Sequence, residues 1–415
     1  MTAGRAAIAI AGGGVVGLSC AFALAARGHE VALFDPTPGR GTSWGNAGGI
    51  TPGWVSPLAN YSTLCAVPSM LRDPLSPLAI RPGYLPALLP WLLRFALSAR
   101  RAEDMSKALA ALTLTSMEDW RDFASEAGVD HLIRAQGLLY VYASRASRDG
   151  AEAAHAFRRR RGVTLEEFDA ASLRRFAPML SESYRHAVYA PGAGHFADPG
   201  ALCDGLAAAF LAKGGRIERT KIVDVAPISD GIALVTETGL FHAKQFVVTL
   251  GAHSQTLATK LGARVPLDVE RGYHAHLPSP GVELPAQMID GEGKYAVTSM
   301  NTGLRLAGTV EFAGLDAAPD MRRAEMLIGN ARALLPGLNA NDATYWMGFR
   351  PSLPDGLPVL GRSPATPKAI FAFGHAHLGT TLAAITAKIV VALIEDREPG
   401  IDLRPYDPLR FRHWF

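Results

Sequence analysis

The sequence predicts an α/β fold in two domains: a parallel-sheet domain assembled from separated stretches of chain, and an inserted α+β domain with a mixed or antiparallel sheet. Three observations lead there. At 415 residues the chain is too long for one ordinary hydrophobic core. It opens with a buried-strand pattern, a glycine turn and an apolar helix, and the same order of signals returns near its end. The material between is mixed, with no internal repeat and no low-complexity tract.

The elements follow in order. Ala6 to Ala11 is apolar throughout, as strands of parallel sheets are. Val15 to Arg27 reads as a helix, with Gly28 placed for a left-handed cap. Glu30 to Asp35 is the next strand, which completes a βαβ unit. Pro36 to Pro57 is rich in glycine, proline and serine and reads as loop. Pro82 to Arg161 is mainly helical, with one strand near Gly137 to Ala143. Asp198 caps a helix from Pro199 to Gly214, since proline suits the first helical position. Short β-like runs fill Arg216 to Leu250 and Val265 to Phe312, and Pro319 to Leu335 is helical. A strand at Ala369 to Phe373, a Gly/His/Thr turn and a helix from Thr381 to Glu395 close the chain. The division expected is 1–80, 195–264 and 345–415 for the first domain, with 81–194 and 265–344 for the second.

Gly12-Gly13-Gly14-Val15-Val16-Gly17 fits the pattern G-x-G-x-x-G. Gly12 permits the tight turn, Gly14 lets backbone approach a pyrophosphate, and Gly17 lets helix and strand pack closely. The helix N-terminus, at Val15 and Val16, offers free amides and a favourable dipole to an anion. Its place after a buried strand makes the first domain Rossmann-like and dinucleotide-binding. Asp35, roughly 20 residues on as the fingerprint requires, would accept hydrogen bonds from a ribose diol and repel a 2′-phosphate. Asp35 also starts the turn at Pro36. The fingerprint alone does not separate FAD from NAD.

Composition excludes other classes. Hydrophobic residues make up 48% and charged residues 19%, which suits a packed globular chain. A net charge of +3 does not point to nucleic acid. Cys20, Cys65 and Cys203 show no paired spacing, so neither a disulfide framework nor a zinc site is expected, and a reducing cytosol fits. Ile8 to Leu24 reads as strand–turn–helix rather than a leader, because four glycines interrupt it. Arg158 to Arg161 ends a helix, where cations suit the dipole. Trp91 to Arg101 is an amphipathic helix with basic residues; it either buries one face in the core or lies on an anionic membrane.

The segment Thr42-Ser43-Trp44-Gly45-Asn46-Ala47-Gly48-Gly49-Ile50 resembles the loop after the second strand in D-amino acid dehydrogenases, part of the D-amino acid oxidase-like flavoprotein family. Gly348-Phe349-Arg350-Pro351 resembles the segment with that family's carboxylate-binding arginine, and Gly374-His375-Ala376-His377-Leu378-Gly379-Thr380-Thr381 the turn that meets the flavin. Val248-Thr249-Leu250-Gly251 is similar to its middle nucleotide-contacting turn. The His375-x-His377 pattern resembles a subgroup acting on cis-4-hydroxy-D-proline. The match is specific at both ends and loose between about residues 60 and 340.

The resemblance implies a cofactor cradle of Gly12, Gly14, Val15, Val16, Gly17, Asp35, Pro36, Thr42, Ser43, Asn46, Ala47, Gly48, Ile50, Ile222, Thr249, Gly251, Gly374, Gly379, Thr380 and Thr381. The cofactor it implies is FAD. Relatives of the sarcosine-oxidase type tether flavin through a cysteine before the last helix; none stands here, so the FAD is expected to be non-covalent. A hydride would leave the α-carbon of an amino acid for flavin N5, giving an imino acid that water hydrolyses, or a ring imine from a cyclic substrate.

Arg350 would clamp the carboxylate, because a planar guanidinium meets it with two parallel hydrogen bonds. Tyr273 and Tyr295 are candidates to close the site. His377 would place positive charge beside the flavin, and His375 would be a structural hydrogen bonder. No third ligand accompanies the two histidines, so no metal is expected. Electrons would pass to a quinone or an electron-transfer protein, and the protein would be cytoplasmic, either free or attached peripherally to the inner face of the cell membrane. The rivals are an oxygen-using glycine or sarcosine-type amine oxidase, a non-catalytic flavin-binding redox subunit and an NAD-dependent dehydrogenase.

Overall fold

The computed structural model describes residues 4–70 and 76–414. The opening strand, Gly4–Ala11, lies parallel between Val31–Phe34 and Gly239–Val248. Arg216–Glu218 and Ala369–Phe373 extend the parallel set on either side. These strands come from both ends and the middle of the chain, and their apolar faces are covered on both sides. The helices Val15–Ala26 and Gly379–Ile394 pack together on one face, within a core cluster that includes Leu18, Phe22, Leu382 and Val390. Ala376–Ile394 is long and apolar enough to cross a membrane by composition, but it is 78% buried and acts as a core helix.

The local chemistry explains the boundaries. Gly28 follows the first helix with φ of 85°, where a side chain would be strained. Asp198 caps Pro199–Ala212 by accepting from the Ala201 amide at 2.9 Å. The stretch 82–161 contains the helices Leu85–Ser98, Ala102–Thr113, Ser116–Ala127, Arg145–Gly150 and Glu152–Arg160, with the strand Leu138–Tyr142. The predicted loop 36–57 holds a two-residue strand, Gly49–Ile50, paired with Gly194–Phe196.

The second sheet is mixed and nine-stranded. Asp268–Leu277 lies antiparallel between Thr344–Ser352 and Gly303–Phe312, and Tyr295–Met300 follows outward. Leu78–Ile80, which pairs with Gly303–Phe312, and Thr344–Ser352 both belong to this sheet, although the sequence boundaries put 1–80 and 345–415 in the first domain. One face of the sheet packs on the helix Arg322–Leu334 through Ala275, Leu277, Val297 and Leu306. The other face turns toward the glycine loops of the parallel sheet. The fold is thus the α/β architecture expected, with a mixed-sheet insert.

Candidate active site

Glycine chemistry shapes the fingerprint turn. Gly12 has φ of 103°, and a Cβ there would lie 2.5 Å from the Thr249 carbonyl oxygen. A Cβ on Gly17 would lie 1.8 Å from the Gly12 oxygen. Thr249 closes the turn from the neighbouring strand, its hydroxyl donating to Ala11 O at 2.8 Å and Gly12 O at 2.9 Å. Gly251 follows with φ of 55°. Asp35 accepts from the Gly13 amide at 2.7 Å and, across Pro36, from the Thr37 amide at 2.8 Å. The Val15 amide, in the first turn of its helix, donates to the Ser43 hydroxyl at 2.9 Å. Ile222 is buried farther out, in the cluster with Phe34 and Val248.

Residues from the two ends of the chain meet here. Asn46 donates from its side-chain Nδ2 to Thr380 Oγ1 at 2.8 Å and to Ser43 O at 2.6 Å. Thr381 Oγ1 donates to Gly49 O at 3.0 Å. Thr42 Oγ1 donates to Phe349 O at 2.9 Å and accepts from the Phe349 amide at 3.1 Å, which ties the loop to the strand of Arg350. Gly48 has φ of 71°, and Ile50 is fully buried. Gly374 has φ of 81°, and Gly379 opens the last helix.

The second sheet supplies donors that sequence reasoning missed. His274 Nδ1 meets Gly45 O at 2.7 Å, and Arg305 Nη1 donates to Asn46 O at 2.8 Å and Trp44 O at 3.3 Å. Gln287 Nε2 donates to Ala47 O at 3.0 Å, and Thr298 Oγ1 to the same oxygen at 3.2 Å. Burial, reinforced by Arg305, pushes the His274 pKa down to about 3, so the ring is neutral.

Arg350 stands on the same face. Its guanidinium lies over Gly272, where a Cβ would come within 2.1 Å of Cζ. Nη1 donates to Thr309 O at 2.9 Å, and no carboxylate of the described residues forms an ion pair with it. Thr309 has φ of 60° at a bulge in the strand pairing, a strained conformation that turns its carbonyl to the guanidinium. Burial lowers the Arg350 pKa, and the neighbouring Glu270 opposes that.

His377 Nε2 meets Glu270 Oε2 at 2.8 Å, and the His377 ring stacks on Trp54 at 5.8 Å. Ser352 donates to the other Glu270 oxygen. Burial alone would raise the Glu270 pKa; His377, Ser352 and Arg350 together bring it below its ordinary value. His375 is buried and bonds Thr386 Oγ1 at 3.0 Å.

Tyr273 and Tyr295 are not brought to this face. Along Asp268–Leu277, alternate side chains point to opposite faces. Glu270, Gly272 and His274 face Arg350 and the loop, whereas Tyr273 faces the helix side and donates to Glu311. Tyr295 packs on that same far side with Val297 and Leu327. Asp268, Glu270, His274 and His276 recur at every second or fourth position of a buried strand, and that alternation was the signal available in the sequence.

Residues 7–393 match the family model described as FAD dependent oxidoreductase. The chain belongs to this family. It is an oxidoreductase and its cofactor is FAD. A D-amino-acid oxidase from Bradyrhizobium diazoefficiens is 38% identical over 415 residues, spanning 97% of this chain and 98% of that protein. A D-amino acid dehydrogenase from Paramagnetospirillum magneticum is 32% identical, spanning 95% and 96%. Among solved structures, glycine oxidase from Geobacillus kaustophilus is similar with a TM-score of 0.72 and 26% identity over 98% of this chain and 99% of that one.

The residues of this flavoenzyme fit the cofactor. The amides of Gly45, Asn46 and Ala47 have no acceptor among the described residues, although every carbonyl from Trp44 to Ala47 is bonded. Such a row of donors, beside a helix N-terminus that already draws a hydroxyl oxygen, suits a diphosphate and a carbonyl-bearing ring.

Proposed function

We propose that the enzyme oxidises the α-carbon–nitrogen bond of a D-amino acid, cyclic ones such as D-proline or cis-4-hydroxy-D-proline included, whose carboxylate is held by Arg350. The observation that carries this reading is the Arg350 guanidinium: it lies over Gly272, has one main-chain partner among the described residues, and stands on the sheet face that holds the flavin loop. Bound FAD, held without a covalent link, supplies the two-electron acceptor. Asp35 takes the ribose hydroxyls, the first helical turn faces the diphosphate with the Val16 amide and with the Ser43 hydroxyl that caps Val15, and the loop 42–50 with Thr380 and Thr381 lines the ring. Glu270 Oε2, 2.8 Å from His377 Nε2, fixes the orientation of that ring at the same edge. The names of the two relatives support a D-substrate. The FAD-binding and substrate domains follow the boundaries given above, except that Leu78–Ile80 and Thr344–Ser352 go with the second sheet and the helices Ala102–Thr113 and Ser116–Ala127 with the core of the first domain.

Anaerobic titration of the holoenzyme with D-, L- and cyclic amino acids tests this. D-amino acids are expected to bleach the flavin's visible absorbance. Bleaching by glycine or sarcosine alone would move the reading to an amine oxidase, and bleaching by none would remove it.

The acceptor is a quinone or an electron-transfer protein, and the enzyme works in the cytosol against the membrane's inner face. Leu85, Leu89, Leu93 and Leu97 form a stripe at four-residue spacing, each 43–58% exposed. Between Leu85 and Arg101 the charged residues are Arg94, Arg100 and Arg101, with no acidic one. An apolar stripe beside cations suits an anionic bilayer. The protein should co-float with anionic phospholipid vesicles at low salt, and Leu89→Asp with Leu93→Asp should abolish this. Wild-type protein left behind by the vesicles would count against attachment.

A further inference from the structure

We infer that Arg305 and His274, with Thr298 and Gln287, are positioning residues that aim three consecutive amides of the flavin loop at FAD from behind. In a trans peptide the carbonyl of one residue and the amide of the next point in opposite directions. The carbonyls of Trp44, Gly45, Asn46 and Ala47 are all drawn to the second sheet by those four side chains. The amides of Gly45, Asn46 and Ala47 therefore point away from that sheet, and no described residue accepts from them. They form a donor row for oxygen atoms of the cofactor.

Arg305 is the strongest member. It is only 6% exposed, and no carboxylate of the described residues forms an ion pair with it. One nitrogen spans two carbonyls, and the guanidinium carbon lies 5.9 Å over the Trp44 ring. A buried cation that bonds peptide oxygens through Nη1 polarises those peptides, which strengthens their amides as donors on the far side. Trp346 completes the clamp: His274 stacks on it at 5.0 Å, and a Cβ on Gly45 would collide with it.

The inference rests on the reading that this loop meets FAD, and its test reads the cofactor rather than turnover. FAD release from the holoenzyme is followed by recovery of flavin fluorescence after dilution. Arg305→Met should release FAD at least about tenfold faster, Arg305→Lys should recover part of that, and Thr298→Val should give roughly threefold. Tyr295→Phe, on the opposite face of the same sheet, should release at the wild-type rate. A merely structural role would lower the melting temperature of Arg305→Met without changing release. Should Arg305→Met fail to fold, Thr298→Val carries the test. Release at the wild-type rate from these variants, or equal acceleration by Tyr295→Phe, overturns the inference while leaving the functional reading intact. A wild-type protein that takes up no FAD would remove the reading itself.

Discussion

Arg350→Met should lower kcat/KM for the amino acid by roughly a hundredfold or more, carried mainly by KM, while FAD stays bound. Truncating one partner of a desolvated, hydrogen-bonded charge pair costs on the order of 2–5 kcal/mol, and each 1.4 kcal/mol is about tenfold. The flavin loop is tied to the main chain of Phe349 through Thr42 and to Arg305, not to the Arg350 side chain, so the cofactor should be retained. Gly272→Ala is the sharper companion. It keeps the cation but puts a methyl where Cζ now lies, so it should reproduce much of the defect by moving the guanidinium. Steady-state kinetics with flavin content measured in parallel checks both; an unchanged KM in Arg350→Met removes it from the clamp.

Stability should fall steeply between about pH 6.5 and pH 4. His155, His195, His274 and His375 are buried, and burial lowers each pKa, to about 3, 4, 3 and 4 respectively. In the unfolded chain each titrates near its ordinary value, about 6.5. Below that pH the unfolded state binds protons that the folded state refuses, so stability drops with pH and levels off only below the folded values. At about pH 5 each such histidine costs on the order of 2 kcal/mol. Four together approach the whole stability of an ordinary domain, about 5–15 kcal/mol. Glu270 adds to the loss at still lower pH, because its depressed pKa stabilises the fold only while it is ionised. Melting temperatures of the holoenzyme across this range check the claim, and a flat profile from neutral pH to about pH 5 would contradict it.

Both ends of the chain were legible because their signals are local. A glycine that needs positive φ, a cap at Asp198 and an apolar run bounded by turns are written in adjacent residues, and the strands and helices fall within a few residues of the expected bounds. The loop 42–50 was legible as a cofactor segment by resemblance. What grips it was not, because His274, Gln287, Thr298 and Arg305 lie far away in sequence and meet it only through sheet register. The same register carries Tyr273 and Tyr295 to the far face. The arginine run hid a similar case. Arg158 is buried, donates to Gly53 O at 3.1 Å and lies over the Tyr140 ring, while Arg159 and Arg160 remain at the surface. Nothing in four identical letters tells which one turns inward.

The most direct measurement is a crystal structure of the FAD-loaded enzyme soaked with a small carboxylate that competes with substrate. The account predicts that its two oxygens lie against the guanidinium of Arg350, with the flavin ring alongside and the amides of residues 45–47 turned to the cofactor. A carboxylate seated instead on Arg158 or Arg305, with Arg350 still bonded only to Thr309, would contradict it.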